Sequence, residues 1–187
     1  MRISLSTAKR VIVVDVQPTY DSYSRKHFDT EELCQYLNRF PDILFLYNGR
    51  DTGMTGDTEW DLRAYYEENG LDLDGKTIKF VDKGYGYLRD LMDAGVEERD
   101  LIKLIRYMLA HRINDSREID SEVYVEIIPD HDQEDYMASI PDVSLKLLKE
   151  WSNSYIVGGG RTECLKEVQI LMNALNIRYK VVAKFVY

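Results

Sequence analysis

Cysteine is scarce in this chain: Cys34 and Cys164 are the two among 187 residues. The opening stretch, Met-Arg-Ile-Ser-Leu-Ser-Thr, is too short and polar for the apolar core of a secretory leader. A structural disulfide is therefore not expected, and a reducing, cytoplasmic setting is. Histidine is as sparse. His27, His111 and His131 are scattered, and no zinc-ligand spacing occurs. No apolar run approaches the length of about 20 residues needed to cross a bilayer, so no membrane partner is expected. Basic charge is in deficit, with 24 Lys and Arg against 33 Asp and Glu and a net charge of −9. That excludes a broad nucleic-acid surface, which needs a basic face. Walker, dinucleotide-fingerprint and serine-nucleophile patterns are missing. So are repeats and low-complexity tracts.

What is present is globular. The chain is 44% hydrophobic and 30% charged. A chain this long builds one core, and residues 1–187 read as a single domain. Val11-Ile12-Val13-Val14-Asp15-Val16 and Ile43-Leu44-Phe45-Leu46-Tyr47 are the continuous runs of strands buried on both faces. Thr77–Val81, Ser154–Val157 and Tyr179–Ala183 extend the set to five strands. Helical patterns separate them. Thr30–Phe40 carries Leu33, Leu37 and Phe40 on one side, and Thr58–Asn69 opens on a capping pattern with Asp61. Leu165–Asn176 carries Val168, Leu171, Met172 and Leu175. The alternation predicts an α/β fold: a three-layer, mainly parallel five-stranded Rossmann-like sheet. Residues 96–151 break the alternation and read as a helical insertion or lid, with Leu101, Leu104, Ile105 and Met108 as an amphipathic stripe. Within it, Ser139-Ile140-Pro141-Asp142 is a helix start, and Ile119–Ile128 fits helix or strand equally.

The stretch from Tyr155 to Leu165 carries the most chemistry. A short strand runs into Gly158-Gly159-Gly160 and then a helix expected to begin at Thr162. Glycine permits the sharp turn and the close approach of a ligand, and a helix N-terminus favours an anion or a developing oxyanion. Gly159, Gly160, Arg161, Thr162 and Glu163 are candidate ligand-binding residues on that ground. In open parallel sheets ligands sit beyond the carboxyl ends of the strands. Those ends also supply Asp15, Gln17 and Tyr20 from the first strand, Asn48 and Asp51 from the second, and Asp82, Lys83 and Tyr85 from the third. Taken one by one, such residues can equally be helix caps and solvated ion pairs. Cys164, just inside a helix, is a candidate nucleophile whose thiol the helix terminus, Arg161 or Lys83 would acidify; its alternative role is packing. Asp15 is a candidate general base or metal ligand, and Lys83 a candidate for holding a carboxylate or an oxyanion. Cys34 reads as structural.

These motifs resemble the isochorismatase-like cysteine hydrolases, a family that includes nicotinamidases. The resemblance rests on Val13-Val14-Asp15-Val16-Gln17 and on Gly159-Gly160-Arg161-Thr162-Glu163-Cys164. It implies a parallel α/β fold and a catalytic triad of Asp15, Lys83 and Cys164. Asp would act as base, Lys would support it, and Cys would attack a carbonyl or imine carbon of a small molecule without a cofactor. The step from Thr162 to Cys164 is one residue shorter than in that family, so strict alignment on Thr162 would put Leu165 at the nucleophile position.

Two other readings remain open. Asp15, Asp51 and Glu163 could converge on Mg²⁺ or Mn²⁺ in a phosphoesterase or nuclease of the PIN or NYN type. Alternatively, Gly158 to Thr162 could cradle a phosphate in a non-catalytic nucleotide-binding or interaction protein. All three readings expect a small-molecule or nucleotide ligand, an anion among the choices, and allow a homo-oligomer.

Overall fold

The computed structural model describes residues 9–49, 56–84, 88–140 and 145–187. Five strands, β1 (Arg10–Val14), β2 (Asp42–Tyr47), β3 (Thr77–Asp82), β4 (Ser154–Gly158) and β5 (Tyr179–Val181), form one all-parallel sheet in the order β3-β2-β1-β4-β5. The architecture is three-layer α/β and Rossmann-like. The helices are α1 (Asp21–Ser24), α2 (Thr30–Leu37), α3 (Glu59–Glu68), α4 (Arg89–Asp93), α5 (Glu98–His111), α6 (Ser121–Ile127), α7 (Leu145–Glu150) and α8 (Cys164–Ala174).

The period-two geometry of a strand explains the unbroken apolar runs, since successive side chains serve opposite faces. Val11, Val13, Ile43, Phe45 and Val157 face a core closed by α2 and α3, with Leu33, Leu37, Leu62 and Tyr66. Ile12, Val14, Leu44, Leu46 and Ile156 face the opposite core, with Leu101, Leu104, Ile105 and Met108 of α5 and Val168, Leu171 and Met172 of α8. The expected capping box is present: Thr58 Oγ1 accepts from Asp61 N (3.2 Å), and Thr58 N donates to Asp61 Oδ2 (2.8 Å).

Between β3 and β4 the described residues form helices joined by turns, with one isolated antiparallel bridge between Asp115 and Ser139. The ambiguous stretch resolves into a 3₁₀ turn at Ser116–Glu118 followed by α6, whose N-cap Asp120 accepts from Glu122 N and Val123 N. The expected helix start at Ser139–Asp142 runs into residues outside those described; α7 begins at Leu145. The stripe on α5 is fully buried against α8, and Arg106 Nε donates to Ala174 O (3.1 Å), tying α5 to the end of α8. Leu104→Ala should therefore cost about 2–5 kcal/mol in denaturant unfolding, the range for emptying a core leucine site. An exposed, loosely packed helix would lose far less. Among the described residues no helix is long and apolar enough to cross a membrane.

Candidate functional site

The chain leaves β1 in one direction for β2 and β3, and β4 returns to the other side of β1. The switch point, where parallel α/β sheets open a crevice, therefore lies at the carboxyl ends of β1 and β4. Asp15 stands at the first of these ends and the glycine turn at the second.

Asp15 adopts φ +48, the left-handed region, which L side chains enter at a cost and which recurs at functional positions. Its N–H donates to Leu46 O (2.9 Å), and its carbonyl accepts from the Tyr187 hydroxyl (2.9 Å). The turn aims the carboxylate at Lys83, which follows β3. Lys83 Nζ lies 3.0 Å from Asp15 Oδ2, with the two side chains 2% and 1% exposed. Burial is the largest influence on the Lys83 ammonium and would lower it, but the acidic groups around it, Asp15 first and then Cys164 and Glu167, together outweigh burial and the net shift is upward. Lys83 Nζ also donates to Gly84 O (3.0 Å).

At the end of β4, Gly158 and Gly159 take φ +80 and +72. A Cβ on Gly158 would stand 2.4 Å from Val14 O, so this glycine lets β4 pass against β1. Gly158→Ala should lower stability by at least about 1–2 kcal/mol, the cost of a left-handed L residue, with the backbone clash in addition. Chemical denaturation checks it.

The helix after the turn begins at Cys164 rather than at Thr162, so Cys164 is its first residue. Leu165 is 2% exposed and packs in the core, whereas Cys164 comes under the charges of Asp15 and Lys83. The expected acidification of the thiol is overturned. Burial, then Asp15, push Cys164 up to about 12, and Lys83 offsets this in part. Arg161 is exposed. The resting group is a thiol, and its folded pKa exceeds the free value of about 8.5. The resulting stability is present below about pH 8.5 and is lost as pH rises toward 12. Alkylation of native protein at Cys164 should accelerate about tenfold per pH unit from pH 7 to 10, following the thiolate fraction. A plateau beginning near pH 7 would contradict this. Cys34 is buried, its Sγ 3.9 Å from Tyr66 O, and burial also pushes it to about 12, in keeping with a structural role.

Two groups that the sequence did not single out complete the centre. Arg89, the first residue of α4, brings Nη2 to 3.9 Å from Cys164 Sγ and Nη1 to 3.6 Å from Glu163 Oε2. Glu167, fully buried one turn beyond Cys164, accepts from Leu88 N at Oε1 (3.0 Å) and is raised by burial. Among the described residues, the buried polar atoms without a hydrogen-bond partner are Asp15 Oδ1, Asn48 Oδ1, Arg89 Nε and Glu167 Oε2. All four gather at this end of the sheet. Unsatisfied buried groups are rare in folded proteins, which makes this end of the sheet the candidate site.

The remaining candidates divide. Gln17 acts as a brace: Nε2 donates to Asp57 Oδ2 (2.6 Å) and Asn48 O (3.0 Å), and Oε1 accepts from Asn48 N (2.9 Å). Tyr20, through its hydroxyl, accepts from Asn48 Nδ2 (3.0 Å). Asp82 Oδ1 accepts from Gly49 N (3.0 Å) and Gly84 N (2.9 Å), stitching two loops together. Gly159 and Gly160 shape the turn; added Cβ atoms would meet Leu165 at 2.9 Å and Glu163 at 3.1 Å. Arg161 and Thr162 line a neighbouring cleft of about 310 Å³, whose apolar wall is Met92, Val96, Leu101 and Ile170. Asp51 and Tyr85 lie outside the described residues. Among the described residues no cluster of three His, Cys, Asp or Glu is placed to hold a metal ion. Asp15 already has a cation, Lys83, at 3.0 Å.

No protein-family model, curated protein or solved structure matches this chain.

Proposed function

We propose that the protein is a small-molecule hydrolase in which Cys164 is the nucleophile, Asp15 the general base and Lys83 the group that orients the Asp15 carboxylate. One observation carries this reading. An Asp–Lys pair, almost completely buried, meets a cysteine at the first position of a helix, and the three side chains come from the ends of three different strands. A buried ion pair is a weak source of stability, so its placement beside a thiol asks for a chemical reason. The chain order Asp15, Lys83, Cys164 is also that of the isochorismatase-like cysteine hydrolases.

The raised thiol pKa shapes the mechanism. Asp15 takes the Cys164 proton as Sγ bonds to the carbonyl carbon, and the carbonyl π electrons move to oxygen. The N-terminus of α8 faces the developing oxyanion. Collapse breaks the bond to the leaving amine or alcohol, which receives the proton from Asp15. Water then gives its proton to Asp15 and its oxygen to the thioester carbon. The adduct collapses, the S–C bond breaks, the acid leaves and Sγ takes the proton back from Asp15. No cofactor enters these steps.

The test is a screen of small amides and esters with native protein, Cys164→Ala and excess chelator. Turnover that is lost with Cys164→Ala and indifferent to chelator supports the reading. Turnover that survives Cys164→Ala and disappears with chelator would replace it with the metal-dependent one.

A further inference from the structure

We propose that Arg89 is the specificity residue of this site, receiving a carboxylate that the substrate carries within one or two bonds of the carbon attacked by Cys164. The inference rests on the reading of Cys164 as nucleophile and adds the substrate class: a small organic acid bearing the scissile amide or ester.

The guanidinium is only loosely partnered where it lies. Nη2 approaches Cys164 Sγ at 3.9 Å, but that sulfur is a neutral thiol at rest and a poor counter-charge. Nη1 is 3.6 Å from Glu163 Oε2, a long contact to a side chain that is 47% exposed. Nε is buried and has no partner among the described residues. Glu167 favours the cation through its charge, but its Oε1 accepts from Leu88 N and its Oε2 makes no hydrogen bond to Arg89 or any other described residue. A guanidinium, 18% exposed and with donors to spare, costs stability unless a ligand completes it.

Geometry selects the ligand. The planar fork of arginine matches a carboxylate through two parallel N–H···O bonds, a match that lysine cannot reproduce. Because Nη2 stands against the reacting sulfur, an anion seated on it places its neighbouring carbon in range of Sγ. Arg89 also begins the short helix that carries Met92, three residues on, into the wall of the 310 Å³ cleft. An apolar body attached to the acid would have that cleft beside it.

Iodoacetate and iodoacetamide test this without a known substrate. In both, Sγ displaces iodide from the same CH₂ group: the S–C bond forms, the C–I bond breaks and the thiol proton leaves. They differ in carrying a carboxylate or a neutral amide. Labelling at Cys164, located by peptide mass in native protein, is compared with labelling of a cysteine peptide. The iodoacetate-to-iodoacetamide rate ratio should exceed the peptide's about 10-fold or more, the size expected for one charge-assisted pair, and iodoacetate labelling should saturate. Arg89→Gln should return the ratio to the peptide value; any change it makes to the thiol itself affects both reagents and cancels in the ratio. Arg89→Lys should restore only part of the preference.

A native ratio equal to the peptide's, or one unchanged in Arg89→Gln, overturns the role of Arg89 and leaves Cys164 as nucleophile. If Arg89→Gln fails to fold, the native ratio alone decides. Labelling by neither reagent until the protein unfolds overturns both readings.

Discussion

Replacing Cys164 by serine is expected to lower kcat/KM by about four orders of magnitude or more while the melting temperature moves by only a few degrees. The loss is large because a group acting as a unit with its base is lost non-additively, and a serine hydroxyl is far harder to ionise than a thiol. The fold is spared because the change conserves size at the first residue of α8. An amide-hydrolysis assay alongside a thermal melt checks both halves. Activity within tenfold of native would remove Cys164 from the chemistry.

The second large effect belongs to the buried pair. Asp15→Asn leaves the Lys83 ammonium 2% exposed and without its counter-charge. Removing one partner of such a pair costs about 3–5 kcal/mol. For a chain of this size that lowers the melting temperature by roughly 6–20 °C. Lys83→Met strands the Asp15 carboxylate with a comparable cost. The double variant should recover most of the stability, since an apolar replacement of both partners is often nearly neutral, yet it should remain inactive. A purely structural pair would show the same stability cycle with activity returning in the double variant. The pH dependence has a definite sign. The Lys83 pKa is raised by folding, so its contribution is complete below the unfolded value of about 10.4 and is lost as pH rises through the folded one.

The parallel sheet was legible because strands buried on both faces write themselves as continuous apolar runs, and the helices between them keep a 3.6-residue period. Asp15, Lys83 and Cys164 could be named because a strand followed by a polar residue identifies a sheet end without any tertiary knowledge. The thiol pKa was misjudged for a physical reason. A helix terminus and a nearby lysine are visible in sequence, whereas the burial of Cys164 and the approach of Asp15 to it are not. Tyr187, which donates to Asp15 O from 172 residues away, leaves no local signal. Arg89 gives none either, since an arginine opening a short helix reads as a solvated cap. Glu167 was within reach: an acid three residues after the cysteine, between the apolar positions of α8, has to be buried and partnered. Gln17 was assigned to the ligand because it follows β1, but its amide is spent bracing the Asn48 and Asp57 loops.

The central claim is that Cys164 forms a covalent acyl intermediate with the help of Asp15. Acid-quenched mass spectrometry of native protein, mixed for milliseconds to seconds with small activated esters and amides of carboxylic acids, tests it most directly. The account predicts an acyl mass on the Cys164 peptide, formed and then lost with time, and absent from Asp15→Asn. No adduct on Cys164 with any of these acyl donors, together with a thiol that reacts only after unfolding, would contradict it and leave Cys164 as a packing residue.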